Sequence, residues 1–424
     1  MEQVLIIGAG ASGLMAANIL AENNFRVTVV EARDRRGGRI HTIHSLFSLP
    51  IEAGAEFMHG KQAITSSLLE KFGIATSVLS GNWYQVRNGQ RQEGDFFDKD
   101  WERLTKALKK LKKDTDIGSF LETHFNKPAD RELVEKVRGF VEGYDAADMD
   151  RASAIALRDE WSGNDEEHQY HIEGGYGRLI QSLEDRLTTL GGSVLLSTTV
   201  KEIQWKKGQS TVITTTGSSF TAPKIIVTVP LGVLQHGGIT FTPALPEYFE
   251  AFSVMGFGGV IKFFAEFEDA FWKDRVHRTL PDLAFVISDG EIPTWWTHRP
   301  HRNPVLTGWL GGPSTQSVEC DPALLRDKAV RSLAYIFQCK AEELESGIKR
   351  WHIENWVKDP LARGAYAYPT IDTESALDVV TRPVDDTIYF AGEGMYRGSA
   401  IGTVEAALVS GKDVAEQMIG SLDH

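Results

Sequence analysis

This 424-residue sequence predicts an α/β fold, in which a parallel sheet carries a glycine-rich ligand loop and a second, α+β domain is inserted into it. Three observations predict it: strand, glycine turn, helix and strand succeed one another from residue 4 to Glu31; a glycine turn and an amphipathic helix recur from Glu173; and strand, loop and helix return from Thr387. Hydrophobic residues make up 42% of the chain. That excludes wholesale disorder and fills more than one core at this length.

Taken in order, residues 4–7 are a short aliphatic and β-branched run, residues 8–13 are glycine-rich, residues 14–23 have the alanine and leucine of a helix, and residues 26–31 read as a second buried strand. This is a βαβ unit. Residues 95–145 are rich in Lys, Glu and Leu at helical spacing. After Glu173-Gly174-Gly175-Tyr176-Gly177 comes a helix with Leu179, Ile180, Leu183 and Leu187 apolar, then strands at 193–196, 211–216 and 224–229, all expected to extend the first sheet. Residues 255–310 mix aromatic strands with proline turns, and 387–391, 392–402 and 403–418 read as strand, loop and helix. No stretch has the composition of a linker, and no internal repeat is visible. The separated blocks therefore group as 1–75, 171–234 and 380–424 in one domain, and 76–170 and 235–379 in the other.

With 45 Lys+Arg against 58 Asp+Glu the net charge is -13, which repels a phosphate backbone and disfavours nucleic acid as a partner. Cationic small molecules suit it better. Cys320 and Cys339 lack a metal-ligand spacing, which argues against a disulfide framework and a zinc site and fits a reducing, cytoplasmic setting. The N-terminus lacks a secretory pattern, and no apolar stretch approaches the roughly 20 residues of a spanning helix, so a soluble protein away from membranes is expected. Monomer and homodimer both stay open.

Gly8-Ala9-Gly10-Ala11-Ser12-Gly13 fits G-x-G-x-x-G directly between a strand and a helix. The first glycine permits the tight turn, the second lets backbone approach a pyrophosphate, and the third lets helix pack on strand. A lone match is weak, since a structural glycine turn reads the same. Glu31, however, closes the second strand at the spacing of a carboxylate that receives ribose hydroxyls and repels a 2′-phosphate. Together they point to a dinucleotide other than NADP. In Arg33-Asp34-Arg35-Arg36-Gly37-Gly38-Arg39, a solvated loop is the plainer reading of Arg33 and Arg35, whereas Arg36 and Arg39 flank a Gly pair that admits an anionic ligand closely.

These motifs, with Glu52-Ala53-Gly54-Ala55-Glu56, residues 227–234, Lys262, Trp356 and Phe390-Ala391-Gly392-Glu393, resemble the flavin amine oxidase family, which includes monoamine, polyamine and L-amino acid oxidases and lysine-specific histone demethylases. The resemblance covers nearly the whole chain. It implies a Rossmann-like FAD-binding domain with an inserted α+β substrate domain, and FAD held non-covalently, because Ala365 stands where covalent monoamine oxidases carry a cysteine. The cofactor-contacting set is then Gly8, Gly10, Ser12, Gly13, Glu31, Arg33, Arg36, Gly38, Arg39, Ala55, Glu56, Val200, Trp356, Gly392, Glu393 and Thr403. By the same resemblance Val200 contacts adenine through its backbone, and Glu393 lies near the ribityl and diphosphate groups.

Lys262 interrupts Val260-Ile261-Lys262-Phe263-Phe264, where an ammonium is costly unless paired or snorkelling at an edge. The family carries a lysine here that holds a water against flavin N5. Tyr366 and Tyr368 share a strand face, as core residues or as walls for an amine. The resemblance favours Tyr366 as one wall and aligns Ser399 with the second, where a tyrosine stands in monoamine oxidases. His59, in a stretch similar to polyamine oxidases, is either structural or substrate-facing. Asp165-Glu166-Glu167 reads as a solvated acidic turn, with an entrance for a polycation as the sharper alternative. Lys262, Tyr366 and His59 are thus the candidate catalytic residues, and no metal site is evident. The implied reaction passes a hydride from an unprotonated primary, secondary or polyamine to the flavin, gives an imine that water hydrolyses, and ends with oxygen reduced to hydrogen peroxide. The alternatives are an L-amino acid oxidase, a flavin desaturase or isomerase acting on C–C bonds, and a flavoprotein scaffold working through a partner.

Overall fold

The computed structural model describes residues 2–92, 99–163, 168–274, 276, 278–318 and 321–421. Asp165-Glu166-Glu167 and Cys320 lie outside them. Five parallel strands form the sheet that carries the first glycine turn, in the order Ser193–Leu195, Arg26–Val30, Gln3–Ile7, Lys224–Val227 and Ile388–Phe390. Both faces are covered. Val4 and Ile6 pack on the helices Ala11–Glu22, Gly177–Thr189 and Val404–Gly420 through Leu14, Leu183 and Leu408, while Leu5 and Ile7 face a second core. Two buried faces make these strands unbroken apolar runs rather than alternations.

One expected member of that sheet belongs elsewhere. Gln209–Thr214 lies in a four-stranded sheet of order Ser219–Ala222, Gln209–Thr214, Val200–Lys206 and Thr240–Thr242, antiparallel across the first three. The reason is connection length: the tight turn at Lys207-Gly208, with Gly208 at φ 74°, joins antiparallel neighbours only, since a parallel pair needs a crossover of a dozen or more residues. This sheet covers the Leu5 and Ile7 face through Ile203 and Val212.

A third sheet of seven strands runs Ile348–Asn355, Val260–Phe267, Val305–Gly311, Thr294–Thr297, Leu283–Ser288, Asn82–Arg87 and Gln90–Gln92. Phe263 and Trp295 on its outer face pack under the helix Pro322–Phe337 by way of Leu333 and Ile336. A helical group containing Lys99–Leu108, Ile117–His124 and Arg131–Gly143 closes over its own core of Leu104, Phe120 and Val137. Among the described residues no helix is long and apolar enough to cross a membrane. In the parallel sheet, strand order reverses on either side of Gln3–Ile7, so a crevice opens at the end of that strand, where Gly8 begins.

Candidate active site

The glycine loop separates what the protein needs from what a ligand needs. Gly8 turns at φ 112°, and a Cβ there would lie 2.6 Å from Thr228 Oγ1; one on Gly13 would lie 2.0 Å from the Gly8 carbonyl oxygen. Both glycines are demanded by the fold. Gly10 is different: its backbone is extended at φ -81°, and the nearest atom to an added Cβ is the Gly37 oxygen at 3.8 Å. A side chain at Gly10 would fill only the cavity it lines. The helix Ala11–Glu22 starts there without a side-chain cap, and Ser12 Oγ is buried without a partner. A helix start with unclaimed amides and an orphaned hydroxyl fits a diphosphate.

Glu31 is preset by backbone: Oε2 accepts the Ala9 N–H at 2.8 Å and Oε1 the Arg33 N–H at 2.9 Å, leaving a lone pair on each oxygen for hydroxyl donors. Arg33 pairs with Asp359 at 2.7 Å and lies over the Trp356 ring; Arg39 donates to Glu393 and to the Ala365 carbonyl, each at 2.6 Å. The other Glu393 oxygen accepts the Ala367 N–H at 3.2 Å. Trp356 is anchored by its Nε1–H on the Ala53 carbonyl at 2.9 Å, and Thr403 caps the last helix through Ala406 N–H at 3.1 Å. Gly392, at φ 151°, faces open space. Glu31, Arg33, Arg39, Trp356, Gly392, Glu393 and Thr403, with Gly38, Ala55 and Val200, line one cavity of about 1800 Å³, larger than an ordinary small-molecule pocket and suited to a dinucleotide plus a substrate.

Two of the predicted cofactor contacts do not line the cavity: Gly13, which sits between helix and strand, and Arg36. Its guanidinium is captured by Glu184 and by Gln181 Oε1 at 2.5 Å, both on the helix Gly177–Thr189, and it does not line the cavity. An acidic helix face packed against the loop claims the charge before any ligand can.

Lys262 is 1% exposed in the fully buried strand Val260–Phe267, so snorkelling is excluded. Its Nζ donates to the Glu52 carbonyl at 2.7 Å, the Gly54 carbonyl at 3.2 Å and Glu56 Oε2 at 2.7 Å. All three ammonium donors are engaged, so a water at Lys262 has to share or displace one of these partners. Glu56 is assigned from sequence to the cofactor, but its carboxylate belongs to the lysine: the second oxygen accepts the Trp296 Nε1–H at 2.9 Å. Burial pushes the Glu56 carboxyl up, and Lys262, His298 and His171 together bring it below the usual range. It is an ionised counter-charge.

Behind it, burial raises Glu52 to about 7, against hydrogen bonds from the Tyr176 N–H and the Thr42 hydroxyl. A raised carboxyl binds a proton in the fold that the unfolded chain has released, so its contribution is full below about 4.5 and is lost as pH rises through about 7. Glu52→Gln should therefore gain a few degrees of melting temperature relative to wild type on going from pH 5 to pH 8. A difference that does not change with pH in thermal unfolding would show Glu52 to be ionised throughout.

Trp309 stands directly opposite Lys262 across the strands and stacks on Tyr366, with centroids 6.3 Å apart and planes 27° apart. Tyr366 Oη donates to the Tyr144 carbonyl at 2.5 Å. Tyr368, one residue on along the same strand face, buries in the helical core. Ser399 lines the cavity, yet the aromatic partner of Tyr366 is Trp309. Reading the sequence did not single out Trp296 or Trp309; alternation within 305–311 places Trp309 on one face, but only strand register names Lys262 as its neighbour. His59, in the strand Phe57–His59, lines the cavity with Nδ1 3.3 Å from Tyr144 Oη, and burial lowers it to about 4, leaving the imidazole neutral at pH 7.

A dinucleotide cradle that opens onto a chamber with a buried lysine and aromatic walls defines a flavoenzyme. The chain belongs to the flavin containing amine oxidoreductase family, whose model matches residues 11–419. It is an FAD-dependent oxidoreductase acting on CH–NH or CH–NH2 groups. Polyamine oxidase 2 of Arabidopsis thaliana is 26% identical over 99% of this chain and 90% of its own length. Human lysine-specific histone demethylase 2 is 26% identical over 97% of this chain but only 52% of its own. In fold, wild-type putrescine oxidase bound to putrescine superposes with a TM-score of 0.81 at 20% identity over 99% of both chains, and cyclohexylamine oxidase from Brevibacterium oxydans IH-35A with 0.81 at 19% over the whole of both.

Proposed function

We propose that the protein oxidises a C–N bond of a polyamine, a diamine or another primary or secondary amine, with oxygen as acceptor. Per turnover, amine, oxygen and water give aldehyde, hydrogen peroxide and either ammonia from a primary amine or the shortened amine from a secondary one. When bound, non-covalently in this reading, FAD supplies the hydride acceptor. The observation that carries the proposal is the juxtaposition of Lys262, Trp309 and Tyr366 in the cavity that contains the glycine loop. Aromatic walls flank the amine carbon and exclude water. A neutral His59 exchanges hydrogen bonds with the substrate nitrogen without adding a charge that would oppose binding. Lys262, fixed by Glu56 and two carbonyls, holds a positive charge on one side of the chamber. The resemblance to polyamine oxidases and the acidic net charge support a cationic substrate. A cytoplasmic location and the division into domains of 1–75, 171–234 and 380–424 against 76–170 and 235–379 belong to the same reading.

Anaerobic mixing of the purified flavoprotein with spermine, spermidine, aromatic monoamines and amino acids tests it. Bleaching of the flavin by a polyamine, and peroxide on readmitting air, is the expected result. Bleaching confined to amino acids, or by nothing in the panel, overturns it.

A further inference from the structure

Behind the Lys262–Glu56 pair the fold gathers two imidazoles that amine binding leaves without a task. His298 directly follows the strand Thr294–Thr297, which carries Trp296, and His171 lies in the strand Gln169–Ile172, opposite Phe57, the residue after Glu56. Neither lines the cavity. His298 Nδ1 lies 3.9 Å from Glu56 Oε1, its Nε2 lies 3.0 Å from Thr307 Oγ1, and its ring stacks on that of His171 with centroids 6.4 Å and planes 24° apart. His171 Nε2 is enclosed without a hydrogen-bond partner among the described residues. Two residues further along the chain, Glu173 meets His301 at 3.3 Å, and both of those side chains reach solvent. Lysine, carboxylate, two imidazoles and a surface pair thus succeed one another from the chamber outward.

The hydrogen bonds fix which way this chain points. Thr307 is fully enclosed, and among the described residues its hydroxyl has only His298 Nε2 to donate to, so the neutral imidazole carries its proton on Nδ1, facing the carboxylate. Beside the Trp296 bond, Glu56 Oε1 keeps a lone pair for it. A second proton on Nε2 needs only that the Thr307 hydroxyl turn round and accept. Burial lowers His298 to about 4 and lowers His171 too, with Glu56 opposing it in both; the other groups that face them are Lys262, His301 and Glu173. Both rings are neutral at pH 7, and one more negative charge in the chamber would draw a proton onto them.

Turnover delivers such a charge. Hydride leaves the amine with two electrons and one proton, whereas hydrogen peroxide holds two electrons and two protons more than oxygen, so one further proton has to reach the chamber in each cycle. Lys262 does not release its own unaided, because Glu56 would be left an enclosed carboxylate without a cation. Resting on the reading of oxygen as acceptor, we infer that His298, refilled through His171, is the proton store of the chamber: it takes up a proton when hydride adds negative charge and returns it as oxygen is reduced. An N–H bond of the imidazolium breaks and an O–H bond of hydrogen peroxide forms, while Glu56 and Lys262 pass the proton on and end the cycle as they began. His298 is a positioning residue that acts through them from outside the cavity.

The test compares the flavoprotein with its His298→Gln variant, in which an uncharged amide that holds no extra proton replaces the ring. In a dithionite titration without amine, the midpoint potential between pH 5 and pH 7 should fall with pH more steeply in wild type, by up to about 30 mV per pH unit, the value of one further proton per two electrons. In stopped flow, reoxidation of the amine-reduced protein by oxygen should slow roughly 100-fold in His298→Gln, as for loss of a positioned proton donor, while reduction by the amine stays within about twofold. Should His298→Gln be insoluble, His171→Gln shifts the same slope and the same reoxidation rate. Equal slopes, or reoxidation as fast as in wild type, overturn the store and leave amine oxidation standing. Reduced wild type that air does not reoxidise removes oxygen as the acceptor, and the store with it. Wild type that no amine reduces, with a slope that still depends on His298, overturns the amine reading alone.

Discussion

Lys262→Met is expected to slow reduction of the flavin by amine roughly 100-fold or more while the protein stays yellow, a loss within the range of removing a positioned proton-handling group. The lysine lies in the chamber wall beside Trp309 and Tyr366, whereas the residues placed at the dinucleotide end, Glu31, Arg39 and Glu393 among them, do not depend on it. The same substitution strips the ionised Glu56 of its counter-charge at 2.7 Å, leaving an enclosed carboxylate whose remaining bond is to Trp296. Breaking such a pair costs about 3–5 kcal/mol. Adding Glu56→Gln to Lys262→Met should restore most of the thermal stability but not the rate, which separates the structural duty of the pair from its part in the reaction. Stopped-flow reduction and thermal unfolding of the three proteins decide it. A wild-type reduction rate in Lys262→Met would remove the lysine from the chemistry, and unaltered stability would show that Glu56 is not a charge.

Gly10→Val should give a folded, colourless protein. Position 10 has extended backbone that any residue adopts, and among the described residues nothing approaches an added Cβ closer than 3.8 Å. The local cost is about 1 kcal/mol, that of a poor residue at a helix N-cap. The isopropyl group projects into the space kept for the diphosphate, so FAD retention should drop below detection in the absorbance of the purified protein. Gly13→Ala makes the contrast: its Cβ would lie 2.0 Å from the Gly8 oxygen, so helix and strand must part and soluble yield should collapse. Gly10→Val that is as yellow as wild type would place the dinucleotide elsewhere.

The sequence signals that point to a dinucleotide are local. A glycine at positive φ, a carboxylate at the end of the next strand and an uncapped helix start all lie within Gly8 to Glu31. Arg36 misled because its neighbours in sequence, two glycines, resemble an anion site, while its partners in space, Gln181 and Glu184, lie on a helix that begins at Gly177. The strand predicted at 211–216 joins a different sheet for a related reason. Apolar composition marks a strand, but the Gly208 turn decides which strand it pairs with.

By itself, the sequence determined the sheet that carries the glycine loop, the class of cofactor and the presence of a lysine too buried to be idle. Tertiary structure alone decided what that lysine meets: Glu56 is 206 residues away from it in the chain, and Trp296, which holds the other carboxylate oxygen, is 240 residues from Glu56. It alone decided that Trp309 rather than residue 399 stacks on Tyr366. The physical reason is range. Backbone dihedrals and hydrophobic periodicity are set by neighbours in the chain, whereas the charge state and partners of a buried group are set by whichever strands the register brings beside it.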